Sequence, residues 1–188
     1  GRGEMKKLII LLCAVFLIGS GYASVKKATI DEVKNSLKEV EKAVKESDEN
    51  LVRIYSEALE IEKRATTEYL AEIIKKKICK SAKIVPDDFN KIRKKYSFFD
   101  ISIGWAISET ARIPFEKIMK EKENKSWEEI IDKCFSGCDY NKREKIAPKI
   151  KECNLDNKYI VMDLLDYNLF ALLSKRSGRL SIQKQKEI

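Results

Sequence analysis

Residues 29–65 read TIDEVKNSLKEVEKAVKESDENLVRIYSEALEIEKRA, and the spacing of their apolar positions decides the fold. Ile30, Val33, Leu37, Val40, Val44, Leu51, Ile54, Ala58, Ile61 and Ala65 recur at alternating intervals of three and four. They are the a and d positions of five successive heptads, interrupted at Ser47, with charged residues in most places between. A seam this narrow belongs to a coiled-coil-like amphipathic helix. Thr29 and Glu32 form a capping box at its start, and Asp31 suits the first turn. The seam supports two readings. One helix from Ile30 to about Ile78 would be roughly 70 Å long at 1.5 Å per residue. Alternatively Ser47-Asp48-Glu49-Asn50 is a turn, with Ser47 or Asp48 capping a second helix of an αα-hairpin. The heptad phase survives across the break, which favours continuity.

Composition points the same way. The chain has 188 residues, 44% hydrophobic and 36% charged, with only 7 Gly and 3 Pro. A β-sandwich or barrel needs more turn residues than that, whereas a helical bundle does not. The fold class expected is therefore all-α. The net charge is +8, and histidine is absent. Without histidine, Ser-His-Asp and Cys-His catalysis, His-containing zinc sites and c-type haem attachment all drop out.

The amino terminus reads as an address. Met5, Lys6 and Lys7 precede an unbroken apolar run from Leu8 to Ile18, followed by Gly19, Ser20, Gly21, Tyr22 and Ala23. This resembles a secretory signal peptide with small residues at Gly21 and Ala23, cleaved to leave Ser24 first. Eleven apolar residues fall well short of the ~20 that span a bilayer; an uncleaved signal anchor is the alternative. Removing residues 1–23 takes away three cations and one anion, leaving about +6.

Export changes the meaning of the cysteines. Cys13 would leave with the signal, and Cys79, Cys134, Cys138 and Cys153 would remain in an oxidising compartment as disulfide candidates. A four-thiolate metal site fits poorly, because no pair is spaced by two residues; free thiols are the third possibility. Reading 141–152 as a helix separates Cys138 from Cys153 by about 18 Å, too far for a disulfide. Cys134–Cys138 with Cys79–Cys153 is then the favoured pairing, and Cys79–Cys138 with Cys134–Cys153 the other. No metal ligand, cofactor or catalytic residue is assigned.

Beyond the seam, Pro86 opens a short helix to about Lys95, with Phe89, Ile92 and Tyr96 on one face. Ser97 with Asp100 signals the next helix, whose residues Phe98, Phe99, Ile101, Ile103, Trp105, Ala106 and Ile107 are apolar nearly all round, as in a core. Ala106-Ile107-Ser108-Glu109-Thr110-Ala111-Arg112-Ile113-Pro114-Phe115-Glu116-Lys117-Ile118, followed by Lys125-Ser126-Trp127-Glu128-Glu129-Ile130, resembles a segment of uncharacterised exported bacterial proteins. That family usually has glycine where this chain has Arg112. The resemblance covers about a sixth of the chain and implies no known chemistry. Pro114 starts a helix packed by Phe115, Ile118 and Met119, and Ser126 with Glu129 caps another. The same residues resemble a DNA-binding helix-turn-helix, which export argues against. Gly137 ends a helix, Asp139 or Asn141 starts one to about Glu152, and Asp156 caps an apolar helix to about Ser174. Gly178 closes the ordered part.

The organisation expected is residues 1–23 as signal peptide, 24–80 as the amphipathic segment, 81–178 as a compact helical domain and 179–188 as a basic tail. Glu109, on an apolar helix near Trp105, is the one carboxylate suggestive of a general acid, and Asp163 and Asp166 lie on the last apolar helix. No phosphate loop, HExxH or calcium loop occurs. The function expected is binding or scaffolding in the cell envelope, through self-association or a protein partner along the Ile30–Ile61 seam. An acidic envelope polymer or lipid is a further partner class. An envelope enzyme or inhibitor acting on cell-wall material is the alternative, and a nucleic-acid-binding module comes third.

Overall fold

The computed structural model describes residues 24–136 and 140–153, Tyr140 by its backbone alone. The expected signal peptide, Gly137, Cys138, Asp139, the helix expected after Asp156 with Asp163 and Asp166, Gly178 and the expected 179–188 tail lie outside the described residues. Among the described residues all regular structure is helical. In chain order the helices are α1 (Ile30–Lys45), α2 (Glu49–Arg64), α3 (Glu68–Ala82), α4 (Pro86–Lys95), α5 (Phe98–Ala111), α6 (Phe115–Lys122), α7 (Trp127–Phe135), α8 (Tyr140–Arg143) and α9 (Ile146–Cys153). None is long and apolar enough to cross a membrane.

The long continuous helix is not what forms. Ser47 takes a left-handed conformation (φ 59°), and Asp48 caps α2 by accepting from the backbone N–H groups of Asn50 and Leu51. Both act locally to reverse the chain, so α1 and α2 form the αα-hairpin. A second break follows at Thr66, where Thr67 caps α3 by accepting from Leu70 N–H. Heptad phase persisted across the first break because each arm needs an apolar stripe of its own, whatever joins them.

The two arms use that phase differently. On α2 the whole seam is buried: Leu51, Ile54, Ala58, Ile61 and Ala65 are all at 2% exposure or less. On α1 the a positions stay outside, with Ile30 71%, Leu37 44% and Val44 56% exposed. Its inward strip consists instead of Val33, Ser36, Val40 and Ala43. Ser36 and Ala43 are small, so the α1 backbone can approach α2 closely and gain close-packed contact.

The core is built around α5, which packs against α2, α9, α6, α3 and α7. Ser97 caps it by accepting from Asp100 N–H, and residues Phe98, Phe99 and 101–108 are buried. Gly104 is where α6 and α7 press hardest: a Cβ there would meet Met119 Sδ at 2.5 Å and Trp127 at 3.2 Å. The α5 helix stops at Arg112 (φ 56°), and Ser108 Oγ donates to the Ile113 carbonyl across the stop. Pro114 then starts α6, with Phe115, Ile118 and Met119 buried, and Ser126 and Glu129 form the capping box of α7. The helix expected over 141–152 is interrupted at Glu144 and Lys145. Pro148 explains the interruption, because its ring clashes with the carbonyl four residues back and so tolerates only a fresh first turn. Residues 24–82 pack with 86–153 in one unit.

Two ionisable side chains are buried in this core. Arg93 on α4 is 1% exposed, and all five of its N–H donors have acceptors. Nε donates to the Lys26 carbonyl at 3.0 Å; Nη1 donates to Glu32 Oε1 (2.8 Å) and the Tyr96 carbonyl (2.9 Å). Nη2 donates to the Lys27 carbonyl (3.1 Å) and Glu32 Oε2 (2.8 Å). The guanidinium also stacks on the Phe98 ring, 4.7 Å from its centroid. Burial works against the Glu32 carboxylate, but hydrogen bonds from Arg93 and from Thr29 N–H outweigh it and hold its pKa below the ordinary value. Arg93→Ala would strand a half-buried carboxylate and three carbonyls. It is expected to cost about 3–5 kcal/mol, as lost buried ion pairs do, measured by urea unfolding. Arg93→Lys should recover only part, since three donors on a flexible stem replace five in a plane.

Glu62 on α2 is fully buried. One carboxyl oxygen accepts from Phe99 N–H, and the other, Oε1, has no hydrogen-bond partner. Burial pushes its pKa up to about 7, although the Phe99 bond and Arg93 pull the other way. A carboxyl whose folded pKa is raised lends stability that is complete below its unfolded value and is lost as pH rises through the folded one. Wild-type stability should therefore fall between pH 4.5 and about 7, by roughly 3 kcal/mol at 1.36 kcal/mol per unit. No histidine titrates in that window. Thermal melts of Glu62→Gln across it should be nearly flat; a slope equal to the wild type's would assign the loss elsewhere.

Candidate functional site

The inward strip of α1 has a different row on each flank. On one side Glu32, Glu39 and Glu46 recur every seven residues; on the other, Ile30, Leu37 and Val44 do the same. The rows are offset by two residues, so they lie roughly 160° apart around the helix. The glutamate row borders an open cleft of about 320 Å³. Its other walls come from α2 (Leu51, Tyr55), the start of α5 (Phe99, Asp100) and the start of α7 (Trp127, Glu128).

Local folding rules set this geometry. Ser97 and Ser126 each cap a helix, so α5 and α7 begin side by side at the cleft. Asp100, in the first turn of α5, accepts from Trp127 Nε1 at 2.8 Å and from Ser97 Oγ at 3.0 Å, which holds the indole against the wall. Lys122 Nζ lies over the Trp127 ring, 5.1 Å from the centroid. Tyr55 is 6% exposed and its ring packs on Phe99 at 5.4 Å. Burial pushes the pKa of its phenol well above the ordinary value, and Glu39, Glu128, Asp100 and Glu46 add to the effect. All four carboxylates line the cleft. Five carboxylates and two lysines make its lining acidic in a chain of net charge +8.

Ile30, Leu37 and Val44 are three of the four large apolar side chains exposed among the described residues. Single exposed apolar groups need no explanation, whereas these three line up on one helix as a continuous apolar surface. The seam of Leu51, Ile54, Ala58 and Ile61 is sealed in the core and offers no such surface, so of the Ile30–Ile61 seam only the α1 half is open.

The other expected site residues fall elsewhere. Glu109 is half-buried and borders an open groove of about 700 Å³ shared with Arg112, Lys142, Lys145, Lys149 and Glu152. Glu152 is paired with Lys149 at 2.8 Å. A groove lined by cations differs from the apolar surroundings that turn a carboxyl into a proton donor. Cys79 and Cys153 are buried and Cys134 half-buried, and all three carry free thiols, so neither Cys79–Cys153 nor Cys134–Cys153 is formed. Burial pushes the Cys153 thiol up to about 12, which makes it a poor nucleophile. No group of acidic or sulfur ligands that could hold a metal ion occurs among the described residues. On α6 the exposed residues are Glu116, Lys117 and Lys120, with no Asn or Gln among them to pair with adenine.

The cleft was not anticipated from sequence. The seven-residue glutamate repeat is visible there, but a charged row opposite an apolar one is the ordinary solvent face of an amphipathic helix. Only the fold brings Tyr55 and Trp127 to it. No known protein family matches the chain, and neither a curated protein nor a solved structure is detectably similar to it.

Proposed function

We propose that this chain is an exported binding or scaffolding protein that pairs with a second copy of itself along α1. The observation carrying this reading is the exposed line of Ile30, Leu37 and Val44, about 21 Å long at 1.5 Å per residue. Leaving a Leu or Ile outside forgoes roughly 1.5–3 kcal/mol each, and pairing the stripes would regain part of that. Charge supports an antiparallel pair centred on Leu37. There Glu41 of one copy lies within about one residue of Lys34 of the other, and Asp31 within about two of Lys45, so these flanking charges attract.

Export remains part of the reading. Val25 is buried and donates to Glu72, and Ala28 N–H donates to the Ala65 carbonyl at 2.8 Å. Cleavage after Ala23 would leave these anchors intact, in keeping with the resemblance to exported bacterial proteins. In an oxidising compartment Cys134 with Cys138 is the pair whose closure leaves the buried Cys79 and Cys153 undisturbed. A second reading, affinity for an acidic envelope polymer or lipid, is favoured by the gathering of Arg112, Lys142, Lys145 and Lys149 around one groove. An envelope enzyme finds less support, because the expected acid Glu109 has no second free carboxylate in that groove.

Leu37→Asp with Val44→Asp places charge on the stripe without touching the core. Sedimentation of the wild type should show a concentration-dependent dimer that the double variant loses, with unchanged circular dichroism. A wild type that stays monomeric at high micromolar concentration would refute the pairing. For export, amino-terminal sequencing of envelope or secreted material should begin at Ser24. A full-length chain retained in the cytosol would overturn that part.

A further inference from the structure

The acidic cleft holds more carboxylate than the chain itself neutralises. Glu32 is engaged by Arg93, Asp100 by Trp127 and Ser97, and Glu46 lies 3.8 Å from Lys42. Glu39 on α1 and Glu128 on α7 face the same cleft and have no hydrogen bond or ion pair with any described residue. Tyr55 stands between these walls more than nine-tenths buried, and its hydroxyl has no hydrogen-bond partner among the described residues. Tyr55 itself lines the cleft, as do the four carboxylates that act on its phenol. Unlike the sealed Glu62 Oε1 and Trp105 Nε1, this hydroxyl is open to solvent, where a ligand can replace the water it meets.

We propose that the cleft binds a primary ammonium group carried on a short alkyl stem. The ammonium has three donors and no acceptor. Glu39, Glu128 and the Tyr55 oxygen supply three acceptors, and the Tyr55 O–H is then free to donate to a neighbouring carboxylate. Phe99 and Trp127 wall the cleft with apolar surface for the stem. One ammonium already uses this wall: Lys122 lies over the Trp127 face, the attraction expected between a cation and an aromatic quadrupole. The cleft volume of about 320 Å³ is at the small end of ligand sites. Five carboxylates repel an anion, and a neutral group gains nothing from them. The charge of the whole chain is positive, so the attraction is local to the cleft and not a property of the surface. A free diamine and a lysine side chain offer the same chemistry.

The test is titration calorimetry of the full chain at low ionic strength, where rim charges are least screened. The probes share a stem: 1,5-diaminopentane, Nα-acetyl-lysine amide, 1,5-pentanediol and glutarate. The diamine should bind with Kd of roughly 1 mM, and the diol and glutarate should give no saturable heat. Binding of the lysine amide as well would assign the site to a protein side chain; binding of the diamine alone would assign it to a free amine. Glu39→Gln with Glu128→Gln should weaken the diamine roughly tenfold, the sum of two exposed ion pairs. Tyr55→Phe, which keeps the ring on Phe99, should weaken it about fivefold, one hydrogen bond. Unchanged melting temperatures for the glutamine pair, both exposed in the wild type, confirm that folding is intact. The proposal is overturned if neither amine binds, if the diol or glutarate binds as well as the diamine, or if the glutamine pair leaves affinity unchanged.

Discussion

The Arg93 guanidinium is the constraint on which the arrangement of the amino-terminal half depends. A charge at 1% exposure is tolerable only if every donor is met, and meeting five donors in one plane requires acceptors from three places at once. They come from the extended segment at Lys26 and Lys27, from Glu32 at the start of α1, and from Tyr96 at the end of α4. Glu32 answers twice, since it also completes the capping box with Thr29. The same carboxylate therefore starts α1 and fixes that start against α4. A helix pinned at its first turn to a planar, directional group has little freedom to rotate about its axis.

That rotation determines what α1 presents. Its inward strip is Val33, Ser36, Val40 and Ala43, so one flank shows the glutamates and the other the apolar stripe. Turning the helix by one residue, about 100°, would bury Leu37 and Val44 and erase the stripe. The same turn would swing Glu39 and Glu46 away from the wall formed by α5 and α7. The exposed apolar stripe and the acidic cleft thus depend on a single angle, which Arg93 and the small residues Ser36 and Ala43 set together.

What the sequence made legible was local. Thr29 with Glu32, Ser97, Ser126 with Glu129, Pro86 and Pro114 mark helix starts because caps and prolines act within four residues, and each starts a helix in the structure. The burial of α5 was equally legible, since a helix apolar on all sides has nowhere else to go. The rotation of α1 was not, because Leu37 outranks Ser36 on any hydrophobic count, and only backbone approach to α2 favours the smaller residue. Arg93 and Glu62 were passed over for a related reason: periodicity assigns charged residues to solvent, and their burial depends on partners 61 and 37 residues away. Pro148 was passed over inside an otherwise helical run, although its clash with the carbonyl four residues back is a local rule.

The positions of the carboxylates favour recognition over proton transfer. Glu62 has the raised pKa that suits a general acid, but it is sealed in the core with no path to a substrate. Asp100 lines the cleft with both oxygens occupied, one by an indole and one by a serine hydroxyl, which makes it a positioning group for Trp127. Glu39 and Glu128 are open to the cleft and exposed, within reach of a ligand that enters it. A charge that must donate a proton needs burial; a charge that must attract a cation needs access. In this fold the buried acid lacks access and the accessible acids lack burial. That separation fits the proposed role of the cleft in holding a cation.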